Sequence, residues 1–310
     1  MDEIWDCIVV GGGAAGLSAA LVLGRARRRT LVVDAGKPSN AVAHGIGGLL
    51  GHDGRPPAEL YAMGRAEIAA YPTVEVRSGE VLAGETAGDH FALTLDDGRI
   101  ETAKRVLLAS GMDYERPAVP GVEERWGRSV FHCPFCHGWE VREKKLGVLD
   151  GGPMGAMRAL MLTMWSDDVT LYTDGPAALE PVDAHRLHSA GIAVVEQPVT
   201  RLLGPGDQLE GVELADGSTR ACGGLLLAVT LRQRSPLADQ LGAEAAPASP
   251  IAADALAIDA MSMTSVPGLF AAGDLGATMP SVANAVAAGS NAAAAVVHSL
   301  IADRHPLPAG

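Results

Sequence analysis

The run Gly11-Gly12-Gly13-Ala14-Ala15-Gly16 constrains this chain most. It follows the apolar stretch Cys7-Ile8-Val9-Val10 and leads into Leu17 to Leu23, which has the make-up of a buried helix. A second apolar stretch, Thr30 to Val33, ends at Asp34. Strand, glycine turn, helix and strand in that order read as a βαβ unit with a parallel sheet. In this setting each glycine of G-x-G-x-x-G has its own purpose. Gly11 makes the tight turn, Gly13 lets the backbone approach a pyrophosphate, and Gly16 lets the helix pack on the strand, with the helix N-terminus facing the negative charge. Asp34 is placed to accept a hydrogen bond from a ribose hydroxyl. The plain alternative is a glycine-rich turn that holds no ligand.

The pattern recurs. Lys145 to Leu149 reads as a strand, Asp150-Gly151-Gly152-Pro153 as a turn, Met154 to Trp165 as a helix and Val169 to Thr173 as a strand. Asp174 follows Gly151 by 23 residues, the spacing from Gly11 to Asp34. On that match Pro153 stands where the second glycine belongs and Ala156 takes the third place. Proline lacks an N–H and puts a ring where a pyrophosphate would lie. Thr173-Asp174-Gly175-Pro176 offers no basic cluster for the extra phosphate of NADPH, whereas Asp174 leaves NADH open. The alternative is a nucleotide-type scaffold that no longer binds nucleotide.

Between and after these units, residues 70–105 alternate apolar and polar positions and read as a small antiparallel sheet or meander. Arg105 to Gly111 and Gly223 to Val229 read as buried strands, with a second meander around Gly211 to Gly217. Gly268 to Asp274 is strand-like and is followed by a helical run with no sheet of its own, so it is expected to return to the first domain. Gly242 to Ser249 reads as a crossover linker. The expected fold class is α/β, with two Rossmann-like three-layer nucleotide-binding domains, the first discontinuous in sequence. The expected boundaries are 1–115 and 246–310 for the first domain and 116–245 for the second.

The length of 310 residues suits two domains. A net charge of −13 argues against nucleic acid and anionic membranes as partners, because both require a basic footprint. The acidic start Met1-Asp2-Glu3-Ile4-Trp5-Asp6 is unlike a secretory signal, and no apolar run is long enough for a transmembrane helix. The expected location is cytoplasmic.

In such a chain the run His132-Cys133-Pro134-Phe135-Cys136-His137-Gly138-Trp139-Glu140 carries the chemistry. Two cysteines three apart can close a small reducible disulfide. Zinc is the rival reading, with His132 and His137 completing a site, although zinc commonly draws on two such pairs. A structural disulfide is the third reading and suits a secreted chain. Redox chemistry is favoured, because Cys-x-x-Cys pairs often have lowered thiol pKa values. His137 could shuttle the proton that thiol exchange requires, and Glu140 could orient it or act as the base itself. Phe135 and Trp139 could line a substrate groove, shield a cofactor face, or be core. Cys7 and Cys222 look like buried small hydrophobes.

Taken together, the order GGGAAG, Asp34, LLASG at 107–111, Cys-x-x-Cys, a second glycine turn and AAGD at 271–274 resembles the low-molecular-weight thioredoxin reductases over nearly the whole chain. The resemblance implies an FAD-binding domain using Gly11, Gly13, Ala14, Ala15, Gly16, Asp34, Ala109, Gly111, Gly273 and Asp274. It implies Cys133, Cys136, His137 and Glu140 as catalytic, no metal, and a homodimer. Two departures stand out. His137 replaces the acid usual after the second cysteine, and the His-Arg-Arg cluster for NADPH is missing. With His44-Gly45 and Gly51-His52-Asp53-Gly54, the run CPFCHGWE is more similar to a branch of dithiol oxidases that close disulfides in small natural products such as gliotoxin and holomycin. That likeness implies a small-molecule or peptide dithiol as substrate, Cys133 facing it, Cys136 facing the flavin, and O2 as acceptor with H2O2 formed. The rival direction is a disulfide reductase drawing on NADH or NADPH, with a thioredoxin-like protein as partner. A redox-sensing or zinc-binding module is the remote alternative.

Overall fold

Trp5–Val10, Thr30–Asp34 and Val74–Ser78 lie side by side and parallel, extended on the other flank by Ile100–Leu108. The computed structural model describes residues 4–276 and 279–305. Strand runs such as Ile8-Val9-Val10 and Leu31-Val32-Val33 are apolar without alternation and buried, as expected for a parallel sheet covered on both faces.

Two compact units form. The first comprises Met1–Ala41, Pro57–Tyr114 and Leu231–Gly310; the second comprises Val42–Pro56 and Glu115–Thr230. The return crossing thus falls at Leu231, ahead of the Gly242–Ser249 stretch read as a linker, and the loop Val42–Pro56 groups with the second unit.

In the first unit the long strand Ile100–Leu108 serves two neighbourhoods. Its start pairs antiparallel with His90–Leu95, which pairs in turn with Val81–Ala87; its end pairs parallel with Leu269–Ala271. Residues 70–105 are therefore not a separate antiparallel sheet. Val74–Ser78 is a parallel edge strand, and the meander is an extension of the same seven-stranded sheet. The helix Ala14–Arg25 packs against the helix Val282–Arg304. Small residues let them approach closely. A Cβ on Gly289 would lie 2.0 Å from the Ala15 carbonyl oxygen, and the Ser18 hydroxyl donates to the Val286 carbonyl at 2.7 Å. Ala19, Ala20, Ala292, Ala293 and Val296 fill the seam between them. Ser281 caps the second helix by accepting the Asn284 N–H at 3.1 Å.

The second unit holds a five-stranded parallel sheet in the order Ala193–Val195, Val169–Tyr172, Leu146–Leu149, Gly224–Leu227 and Val130–Phe131. A three-stranded antiparallel sheet of Val199–Leu203, Gly211–Leu214 and Thr219–Ala221 accompanies it. The strand Val130–Phe131, which the sequence reading missed, delivers the chain directly to Cys133. Among the described residues no helix is long and apolar enough to cross a membrane.

Candidate active site

In the first unit the motif residues converge at the carboxyl ends of the parallel strands, where this architecture binds ligands. Gly11 has φ +106°, and a Cβ there would lie 2.4 Å from the Ala109 carbonyl oxygen. A Cβ on Gly16 would lie 1.8 Å from the Gly11 carbonyl oxygen, so only glycine lets this helix meet this turn. Gly13 differs: nothing described lies within 4 Å of where its Cβ would point. Gly13 precedes the helix Ala14–Arg25 with extended backbone and no side-chain cap. Its first-turn N–H groups therefore lack helical partners. Gly273, at φ +76°, brings its turn against Ala15, with 3.1 Å between a Gly273 Cβ and that of Ala15. Gly111 is likewise left-handed, at φ +71°.

The two acids are held by residues that the sequence reading did not single out. The Asp34 carboxylate sits beneath Gly12 and accepts the Gly36 N–H at 3.0 Å and the Arg65 guanidinium at 2.6 Å. Asp274 is partly buried and accepts the Tyr114 hydroxyl at 2.9 Å. Burial pushes its pKa up, against the hydrogen bond from Tyr114. Nothing in the spacing of Arg65 or Tyr114 announces these pairings. An open glycine cradle, a helix start with spare donors and an acid at each strand end fit a flavin dinucleotide.

In the second unit Cys133 precedes a one-turn helix, Pro134–His137, that carries Cys136. Both cysteines are thiols, and the Cys136 Sγ donates to the Cys133 Sγ at 2.8 Å. That hydrogen bond, joined by the Cys136 and Phe135 backbone, lowers the Cys133 pKa from 9.0 to about 7, against burial. Cys7 and Cys222 behave oppositely: burial pushes both thiols up to about 12, as inert small hydrophobes.

His137 stacks on Phe131, with ring centroids 5.7 Å apart, and its Nε2 meets the Gly127 carbonyl at 3.0 Å. Since a carbonyl only accepts, Nε2 carries the proton and Nδ1 keeps its lone pair. Nδ1 is buried with no hydrogen-bond partner among the described residues. Burial lowers the His137 pKa, although the Gly127 carbonyl, the Glu140 charge and the Cys133 backbone push the other way. Glu140 itself is exposed and reaches His137 only as a charge. His132 stacks on Trp126, and burial lowers its pKa to about 3. Among the described residues no group of three or more His, Cys, Asp or Glu is placed to hold a metal ion.

Phe135 and Trp139 are 64% and 67% exposed, which removes the reading of either as core. Phe135 meets Trp165 edge-on at 5.5 Å, and Arg142 covers the Trp139 ring at 3.8 Å.

The second glycine turn corrects the sequence reading by one residue. The Gly11 N–H donates to the Val33 carbonyl at 2.8 Å; the corresponding bond in the second unit runs from the Asp150 N–H to the Tyr172 carbonyl at 3.0 Å. The Ala109 N–H donates to Val10, and the Ala228 N–H donates to Leu149. Asp150, not Gly151, therefore occupies the place of Gly11. Gly152 then matches Gly13, and Gly155 matches Gly16. In agreement, a Gly155 Cβ would lie 2.4 Å from the Asp150 carbonyl oxygen. Pro153 falls where Ala14 opens the first helix, a position that tolerates proline. Thr173 occupies the place of Asp34, and its hydroxyl donates to the Gly175 carbonyl at 2.7 Å. Asp174 lies one residue beyond, at φ +55°, and accepts the Val199 N–H at 2.8 Å. The matching 23-residue spacings mislead because both ends of the second interval are displaced together.

With this geometry in place, the comparisons with known proteins are decisive. Residues 5–289 match the family model of the pyridine nucleotide-disulphide oxidoreductases. The chain belongs to this family. It is 33% identical over 311 residues to thioredoxin reductase tcpT of Claviceps purpurea, covering 97% of this chain and 96% of that one. The structure of an oxidoreductase from Agrobacterium tumefaciens matches with a TM-score of 0.91 at 38% identity, covering 96% of this chain and 99% of the other. The structure of HlmI matches equally well, at TM-score 0.91 and 38% identity, covering 98% and 95%. The protein is accordingly a flavin-dependent oxidoreductase acting on sulfur groups, with FAD as its cofactor.

Proposed function

We propose that the protein oxidises a small-molecule or peptide dithiol to its disulfide and passes the electrons to O2. The observation that carries this reading is the asymmetric Cys133–Cys136 pair, in which one sulfur is the acidic member and the other its donor. The catalytic cycle starts from the disulfide form of the pair. A substrate thiolate attacks Cys133 Sγ, the Cys133–Cys136 bond breaks, and Cys136 leaves as thiolate. The second substrate thiol attacks the substrate sulfur of the mixed disulfide and expels Cys133. A thiol with pKa about 7 is a good leaving group at neutral pH. His137, neutral because it is buried, takes up a proton at Nδ1 as the second thiol is engaged. FAD, held at the glycine cradle of the first unit, would supply the two-electron carrier between the reduced cysteines and O2, so that dithiol and O2 become disulfide and H2O2. Exposed Phe135, between the two cysteines, supplies an apolar surface for a small substrate.

The name of the family and of the tcpT relative favours the opposite direction, in which a nicotinamide reduces the flavin and the pair reduces a small disulfide or a thioredoxin-like protein. Anaerobic mixing separates the two. The yellow protein is mixed in turn with NADPH, NADH and a small dithiol while the oxidised-flavin absorbance is followed. Bleaching by the dithiol alone, with colour and peroxide returning in air, supports the oxidase. Bleaching by a nicotinamide within a catalytic time sinks it. By resemblance the working form is a homodimer, which light scattering would test.

A further inference from the structure

The turn that should hold a dinucleotide in the second unit is already occupied by the protein's own anion. Where the first unit has Gly11 and open space above Gly13, the second has the side chain of Asp150. One carboxylate oxygen accepts the Gly152 N–H at 2.8 Å, and the other is paired with the Arg158 guanidinium. The Asp150 side chain is only 4% exposed and that of Arg158 14%. Asp150 thus takes a backbone donor and a cation that an incoming pyrophosphate would need, and it leaves a negative charge in their midst. The ribose end is consumed in the same way. The Thr173 hydroxyl is spent on Gly175, and the Asp174 carboxylate is spent on Val199.

We propose that Asp150, held by Arg158, is a built-in substitute for the dinucleotide phosphate and excludes NAD(P)H from the second unit. Asp150 is then the residue that determines cofactor specificity, rather than Pro153. This inference deepens the proposed function, since a domain closed to nicotinamides leaves the dithiol as electron donor. Its test is binding alone, so the two can fail separately.

The holoprotein, its Asp150→Gly variant and its Asp150→Asn variant are titrated calorimetrically with NAD+ and NADP+. Asp150→Asn retains the size and the acceptor to Gly152 while removing the charge, and it decides the matter if Asp150→Gly does not fold. The expected result is no binding by the wild type in the millimolar range, and an affinity gain of at least about tenfold in the folded variants. Inorganic phosphate is expected to compete with that gained binding, because it would seek the released Arg158. Sub-millimolar binding of either dinucleotide by the wild type overturns the proposal. So does a variant with wild-type flavin content and unfolding temperature that gains no affinity, since the ion pair is then merely structural. Dithiol turnover on the same samples is the separate readout. Its absence in the wild type sinks the proposed direction of electron flow and leaves the exclusion of the dinucleotide standing.

Discussion

Gly47 lies so close to Cys136 that a Cβ on it would come within 2.5 Å of the Cys136 carbonyl oxygen. The loop Val42–Pro56 therefore braces the cysteine turn within the second unit. It is itself closed by Gly54 N–H to Ile46 O at 2.8 Å, Ile46 N–H to Arg55 O at 2.9 Å and Gly48 N–H to the Asp53 carboxylate at 2.8 Å. His44 and Arg128 both reach Asp207, at 3.1 Å each, and Arg128 also donates to the Val42 carbonyl at 3.0 Å.

Gly47→Ala should thus displace the cysteine pair without touching either sulfur. A contact of backbone with Cβ cannot be relieved by a rotamer change, so the loop or the turn must move. Small misplacements of reacting groups cost up to about 10²-fold, so a fall of roughly 10- to 100-fold in dithiol oxidation is expected. Steady-state rates with a thiol titration of the purified variant check this. Wild-type turnover would show that the loop does not position the pair.

The Cys133 thiol titrates near pH 7 in the folded protein, against 9.0 for an ordinary cysteine. The sign follows directly: between those values the fold favours the thiolate, so reactivity appears about two pH units earlier than in the unfolded chain. Alkylation of the reduced enzyme by iodoacetamide should rise with a midpoint near pH 7. Cys136→Ala removes the donating thiol and should move the midpoint upward. An unchanged midpoint in that variant would mean that Cys136 is not the cause.

His137→Phe keeps a ring to stack on Phe131 and removes the proton site. The expected result is a loss of kcat of about 10²-fold or more, with the Cys133 alkylation midpoint nearly in place. A large shift of that midpoint with little loss of kcat would assign His137 to thiol acidity rather than proton transfer. A purely structural role would lower the unfolding temperature and leave the pH profile of kcat unaltered.

The three glycines of the first turn should separate stability from cofactor binding. Gly16→Ala drives a methyl into the Gly11 carbonyl and should cost about 1–3 kcal/mol or more of stability. Gly13→Ala meets nothing described within 4 Å, so its stability should change by no more than ~1 kcal/mol. Its methyl would instead occupy the approach of the flavin pyrophosphate and weaken FAD binding. Thermal unfolding and flavin content of the two variants check the contrast, and equal flavin content in Gly13→Ala and wild type would remove Gly13 from the cradle.

Asp34 and Arg65 provide a further test of that cradle. Arg65→Ala leaves the Asp34 carboxylate at the strand end without its guanidinium partner. The exposed half of such a pair contributes at most ~1 kcal/mol, so the fold should persist. FAD affinity is the quantity to measure, and it should fall if Arg65 orients the acid toward the ribose.

Local spacing alone determined the two strand–turn–helix units, the buried parallel strands and the closeness of Cys133 and Cys136 along the chain. Those features are legible because period, glycine position and a three-residue interval act through the backbone over a few residues. The same reasoning placed Cys7 and Cys222 in the core, where burial leaves their thiols inert. Tertiary structure decided what stands across from each of these features: Arg65 on Asp34, Tyr114 on Asp274, Gly47 on Cys136 and Arg158 on Asp150. It also shifted the second glycine turn by one residue, because register there is fixed by the hydrogen bonds of Asp150 and Ala228 to neighbouring strands and not by counting along the chain. Such partners approach through space from distant segments, and no interval in the sequence encodes that approach.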